Sequence, residues 1–262
     1  MRAYPTLLIT LVVMAYGCRS HAPDPLQPKR IVDLSPPVSE VSACQWLGRR
    51  ACESIGIPAR LPFTPVKPGN PQFSFGFMMF TVVSHSGAHL DAPGRLIRDG
   101  VAADQVPLER LYGPVQLWDV RWHDRTTPLQ INDLTQQPEI RPGHILLLLS
   151  GYTPPATGDW PTYTWLSPQA ASWLAAQPIR ALATDMPSIG SLQQSWKLLE
   201  QEQQPEEVWA ERLPFFSAGI PVIEGLTNLE QLLHEETATF VGFPLAIADR
   251  SGAPMRAAAL VY

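Results

Sequence analysis

The chain has 262 residues, 45% hydrophobic and 16% charged, enough for one large domain with a real core once a short leader is set aside. A formal net charge of -5 offers no basic face to neutralise phosphates, which argues against nucleic acid as a partner.

Residues 1–18, MRAYPTLLITLVVMAYGC, carry one early positive charge at Arg2, a short apolar run, and small residues around Gly17 before Cys18. The run is too short to span a bilayer and is similar to a bacterial lipoprotein signal, which would leave Cys18 as the lipidated first residue and join the protein to a membrane. Ala15 three positions before the cysteine departs from the usual leucine, so ordinary secretory cleavage stays open as the alternative. Residues 19–30 are polar and proline-bearing and read as a tether. The expected location is the cell envelope, as a periplasmic lipoprotein; Arg19 after Cys18 points to the outer membrane, and secretion is the alternative. The two remaining cysteines, Cys44 and Cys52, allow either a disulfide in an exported chain or two buried thiols.

Beyond the tether, apolar runs bounded by Gly and Pro recur at 31–34, 73–83, 115–120, 145–149, 181–184, 220–223, 240–243 and 257–261, and read as strands. Two helix starts stand out between them. Ser167 precedes Pro168 and a run of helix formers, and Thr227 with Glu230 makes a capping box. The densely charged segment 198–212 reads as a solvated surface, with a lid as the alternative. The mixture predicts an α/β domain with a strand-rich core and peripheral helices over residues 31–262.

The chemistry concentrates in residues 82–95, VVSHSGAHLDAPGR. His85, His89 and Asp91 fall within seven residues, and Gly87 and Pro93 oppose an uninterrupted helix. If the stretch around His89 is extended, alternation places His89 and Asp91 on one face, and Gly87 can bend the chain to bring His85 beside them. Two imidazoles and a carboxylate suit zinc or manganese. On the residues alone, exposed histidines or histidines satisfying backbone groups remain an equal reading.

HSGAHLDAPGR resembles the signature H-x-G-T-H-x-D-x-P-x-H of the cyclase/kynurenine formamidase superfamily of metal-dependent hydrolases. VDLSPP, QVPLERLYGPVQLWDV, RPGHILLLLSGY, LSPQAASWLAAQ, ATDMPSIG and AGIPVIEGLTNLEQL resemble further blocks of that family in the same order. The resemblance implies a cyclase-type swivelling β/β/α domain, often assembled as homodimers or homotetramers, acting on a small-molecule substrate. It implies that His85, His89, Asp91 and Glu224 hold one divalent metal, zinc or manganese, and that Trp46 contacts substrate.

Two departures bear on mechanism. Arg95 replaces the family's proton-transferring histidine, and Arg212 stands where a histidine for a second metal is expected, twelve residues before Glu224. Arginine offers no lone pair and stays protonated, which argues against a second metal. Arg212 can instead bring positive charge to Asp91 and Glu224, and Arg95 can hold a substrate carboxylate or stabilise an oxyanion. Surface or structural ion pairs in a decayed site are the competing reading. With the histidine gone, the proton work would fall to Glu224 or to Asp185, the latter two before a proline and equally suited to a turn. The expected function is hydrolysis of a small amide, cyclic amide or ester; the alternative is an inactive binding protein of the same fold at the cell envelope.

Overall fold

The computed structural model describes residues 27–70, 75–155, 160–248 and 251–262; the leader with Cys18 and most of the tether lie outside them. In chain order the strands are β1 (Arg30–Asp33), β2 (Phe63–Asn70), β3 (Phe75–Phe80), β4 (His89–Asp91), β5 (Tyr112–Asp119), β6 (Pro128–Leu129), β7 (Ile145–Leu149), β8 (Trp165–Leu166), β9 (Ala181–Thr184), β10 (Val222–Glu224), β11 (Ala238–Pro244) and β12 (Gly252–Val261). Every apolar run read as a strand overlaps one, and the mixed α/β class stands. Within 73–83 the strand occupies Phe75–Phe80.

The main sheet closes on itself. Its order is β12-β11-β5-β7-β9-β10-β4, and β4 pairs back onto β12, giving a seven-stranded barrel with β1 added outside β12. β5, β7, β9 and β10 run parallel, and the other contacts are antiparallel. Strands β7 and β9 read as unbroken apolar runs because both of their faces are buried. Leu90, Ile145, Leu147, Ala183, Ile223 and Phe240 fill the barrel. Alternate residues Leu146, Leu148, Leu182 and Val222 point outward, against Ala170 and Leu174 of helix Pro168–Ala175 and Phe215 and Phe216 of helix Leu213–Ser217.

Ser167 caps its helix as expected, its hydroxyl accepting from the Ala170 N–H. The helix expected from Thr227 is a short 3-10 turn, Leu229–Leu232, without a side-chain cap. Its start is tied to β1: the Thr227 N–H donates to Leu34 O, the Asn228 side chain to Asp33 O, and Asn228 takes a left-handed φ of 60° that no helix continues through. Cys44 and Cys52 form a disulfide with Cα atoms 5.7 Å apart, joining helix Ser42–Leu47 to helix Arg49–Ser54. Among the described residues, no helix is long and apolar enough to cross a membrane.

Candidate metal centre

Strand β4 has only three residues but is hydrogen-bonded on both sides. It pairs with β10 in the register Asp91↔Val222 and His89↔Glu224, and with β12 as Asp91↔Gly252 and His89↔Pro254. Alternation sends Leu90 into the barrel and turns His89 and Asp91 outward toward the helical layer. Glu224, 135 positions away, reaches the same point because it is the direct cross-strand neighbour of His89.

His89, Asp91 and Glu224 are buried, and each offers one ligand atom within 4.8 Å of the others. The Nδ1–H of His89 donates to Gly87 O at 2.8 Å, which leaves Nε2 with its lone pair toward the carboxylates, 3.5 Å from Glu224 Oε2 and 3.9 Å from Asp91 Oδ1. That buried nitrogen has no hydrogen-bond partner. His85 stands alongside rather than inside this group. Its Nε2 is 2.9 Å from Asp91 Oδ1 without hydrogen-bond alignment, and its Nδ1 pairs with Ser84 Oγ at 2.8 Å. A mixed nitrogen and oxygen donor set, with imidazole nitrogens unpaired beside carboxylate oxygens, fits one divalent cation.

Arg212 spans the two carboxylates, its Nε 3.1 Å from Asp91 Oδ2 and its Nη2 2.8 Å and 3.1 Å from the two Glu224 oxygens. The same Nη2 donates to Ser188 Oγ at 2.8 Å, while Nη1 is buried without a partner. Arg95 closes the other side, its Nη1 2.6 Å from both oxygens of Asp91. Burial alone would raise the Asp91 pKa, but Arg95, His85 and Arg212 together hold it well below the ordinary range. Glu224 also sits below its usual value, its burial outweighed chiefly by Arg212. Burial lowers the His85 pKa.

His85, His89, Arg95, Arg212 and Glu224 line a cavity of about 210 Å³ together with Trp160, Trp196, Trp209, Leu47 and Leu192. Trp46 lies elsewhere. It lines two neighbouring cavities with its indole nitrogen buried and unpartnered, and it packs edge-on to Tyr152. Asp185 also faces away from the cavity. Its carboxylate accepts from the N–H groups of Ser150, Gly151 and Tyr152 and from the Ser150 hydroxyl, so it braces that turn, although burial raises its pKa.

The charged segment 198–212 corrects the surface reading at its end. Residues 201–207 are exposed, but the chain then turns inward, burying Glu211 and Arg212 and setting Trp209 against both arginines. The pull comes from Phe215 and Phe216, buried just beyond Arg212. Two glycines press on the imidazoles. Gly225 has φ +73°, and a Cβ there would lie 2.0 Å from Gly87 O, the acceptor that orients His89. A Cβ at Gly252 would lie 2.6 Å from His85 Nε2. The Glu-Gly pair after an apolar strand was the available signal for the first; the second depends on register with β4.

The chain matches the family model described as "Putative cyclase" over residues 32–191. It is 27% identical over 246 residues to the kynurenine formamidase of Salinibacter ruber (strain DSM 13855 / M31), covering 87% of this chain and 95% of that protein. Isatin hydrolase A from Labrenzia aggregata, solved bound to benzyl benzoate, has a TM-score of 0.67 at 20% identity, over 88% of this chain and 93% of the other. A structure described as a potential metal-dependent hydrolase with cyclase activity gives 0.65 at 20% identity, over 88% and 96%. At such identities the two structures establish the shared fold.

Proposed function

The chain belongs to the cyclase family, and from that premise we propose that it is a metal-dependent hydrolase of a small amide, cyclic amide or ester, working with a single divalent ion. The observation that carries this reading is the His89–Glu224 cross-strand pair with Asp91 beside it, which leaves a buried imidazole nitrogen unpaired between carboxylates. His89, Asp91 and Glu224 would hold zinc or manganese, with His85 as a fourth ligand. Such an ion supplies Lewis acidity and a water acidic enough to attack a carbonyl near neutral pH.

The chain's own residues have separable tasks. Arg212 takes the part of a second cation, pairing with both Asp91 and Glu224 without any exchangeable metal. Arg95 fixes Asp91 through Nη1, and its remaining N–H groups are free among the described residues to meet negative charge developing on a carbonyl oxygen. Glu224, held deprotonated by Arg212, serves better as ligand than as proton acceptor. The tryptophan walls are apolar and suit a flat substrate, in keeping with the aromatic ester bound by the isatin hydrolase neighbour.

A second reading, a binding protein that no longer turns over, is favoured by one observation: Arg95 occupies the place of the proton-transferring histidine and cannot accept a proton. Metal content followed by turnover on N-formylkynurenine and isatin, with and without His89→Ala, separates the two. Hydrolysis lost in the variant supports the enzyme; bound metal with no hydrolysis across an amide and ester panel supports the binding protein.

We further propose export with lipidation at Cys18 and residence in the cell envelope at the outer membrane, a setting that agrees with the Cys44–Cys52 disulfide. Assembly as a homodimer or homotetramer would cover Phe77, Met78, Met79 and Phe80, each more than half exposed on strand β3. Mass spectrometry of the mature N-terminal peptide and sedimentation of the purified protein test these two points.

A further inference from the structure

Around the candidate centre, charge and aromatic surface are arranged in a way that the hydrolysis of an amide or ester does not by itself require. Arg95 and Arg212 lie over the same indole, with Cζ atoms 5.0 Å and 5.3 Å from the Trp209 ring centroid. A guanidinium on an aromatic face loses little freedom when it forms new hydrogen bonds, because its plane is already fixed. Each arginine also has donors to spare. Arg95 spends only Nη1 on Asp91, its side chain keeps 20% of its exposure, and it lines the cavity. Arg212 lines the same cavity with a fully buried Nη1 that has no partner, and a buried donor left unmade is costly unless something supplies an acceptor.

The charge balance points the same way. Asp91 and Glu224 are cancelled by Arg95 and Arg212, so a divalent cation at His89, Asp91 and Glu224 leaves a surplus of positive charge in a water-poor space. A neutral substrate does nothing to offset that surplus; one carrying an acidic group does. The cavity's size and lining limit the rest of the molecule. About 210 Å³ lies below the range typical of drug-sized ligands, and the walls are Trp160, Trp196 and Trp209 with aliphatic side chains.

We infer that the pocket selects a small aromatic carboxylic acid, its ring among the three tryptophans and its carboxylate on the free N–H groups of Arg95, with Arg212 Nη1 as the inner donor and Trp209 as the residue that positions both guanidinium groups. The carboxylate meant is one the substrate already carries, distinct from any group released by hydrolysis. This deepens the hydrolase reading and rests on it for the surplus charge.

The test is equilibrium binding of benzoate against benzamide, two probes that differ in charge, followed by tryptophan fluorescence and calorimetry on the full chain loaded with zinc. Benzoate is expected to bind about tenfold more tightly than benzamide. In Arg95→Gln kept saturated with zinc that preference should shrink to about twofold, and Arg95→Lys, which keeps the charge but loses the fork, should fall between. Trp209→Leu should weaken both probes and reduce the preference, while Trp209→Phe should retain most of it. Equal binding of the two probes by the zinc-loaded protein overturns the inference. So does a benzoate preference that survives in Arg95→Gln, since the acid would then be sitting on the metal alone. Turnover of neutral amides with no benzoate preference would sink this inference and leave the hydrolase standing; benzoate selection by a protein that hydrolyses nothing would do the reverse.

Discussion

Arg212 and Asp91 are 121 positions apart in the chain and meet at 3.1 Å, guanidinium Nε to carboxylate Oδ2, in a spot from which solvent is excluded. Because the same guanidinium also holds Glu224, one side chain is ion-paired to both acidic ligands of the candidate centre, with Arg95 on Asp91 completing the charge balance.

Removing that side chain should therefore cost far more than a surface ion pair would. Arg212→Met leaves two buried carboxylates facing each other, and we expect a loss of about 3–5 kcal/mol in urea unfolding. A change of under about 1 kcal/mol, the scale of an exposed pair, would mean that the guanidinium is not what balances them.

The two glycines beside the centre make a sharper prediction, since neither is a ligand. Gly225→Ala pushes on the carbonyl that orients His89, and Gly252→Ala pushes on the His85 ring. Each should weaken zinc binding by about 10- to 100-fold, the usual cost of disturbing a ligand's support. Competition with a chromogenic chelator measures this, and unchanged affinity in both variants would show that the imidazole positions do not matter to the ion.

Acid should destabilise the metal-free protein in a defined window. Asp91 and Glu224 have folded-state pKa values below those of the unfolded chain, so their contribution is present above about pH 4 and is lost as pH falls below it. Urea midpoints measured from pH 6 down to pH 3 should drop steeply at the acid end, and less steeply in Asp91→Asn. Parallel slopes for the two proteins would count against the proposed ion pairs.

The disulfide braces one wall of the pocket. It ties together the helices that supply Leu47 and Ala51, which line the cavity, and Cys52 packs with both of them. Closing so short a loop contributes about 2.5 kcal/mol on the chain-entropy model. Cys44→Ser with Cys52→Ser should lower the thermal midpoint and raise KM more than it lowers kcat. A fall in kcat alone would place the helices' influence on the chemistry instead of on binding.

Much of the architecture was legible in the sequence because both faces of β7 and β9 are buried, so composition marks them directly, and because β4 puts an apolar residue between two polar ones, so alternation marks its two faces. The same alternation placed His89 and Asp91 together. Bringing Glu224 to them needed the family resemblance, since cross-strand register between segments 135 positions apart leaves no local trace. Trp209 carried no signal as a pocket residue for a different reason, and Arg212 was placed only through the family resemblance. They end a run of Glu and Gln whose average polarity hides the point where the chain turns inward. Thr227 failed as a cap because its N–H is engaged by β1, a tertiary contact that overrides a correct local motif.

Metal content tests most directly whether a single cation sits beside the fixed guanidinium of Arg212. Protein loaded with excess zinc or manganese, dialysed and analysed by mass spectrometry should hold one ion per chain, falling to none in His89→Ala. Two ions per chain in the unaltered protein would contradict the role given to Arg212, and no ion would contradict the centre itself.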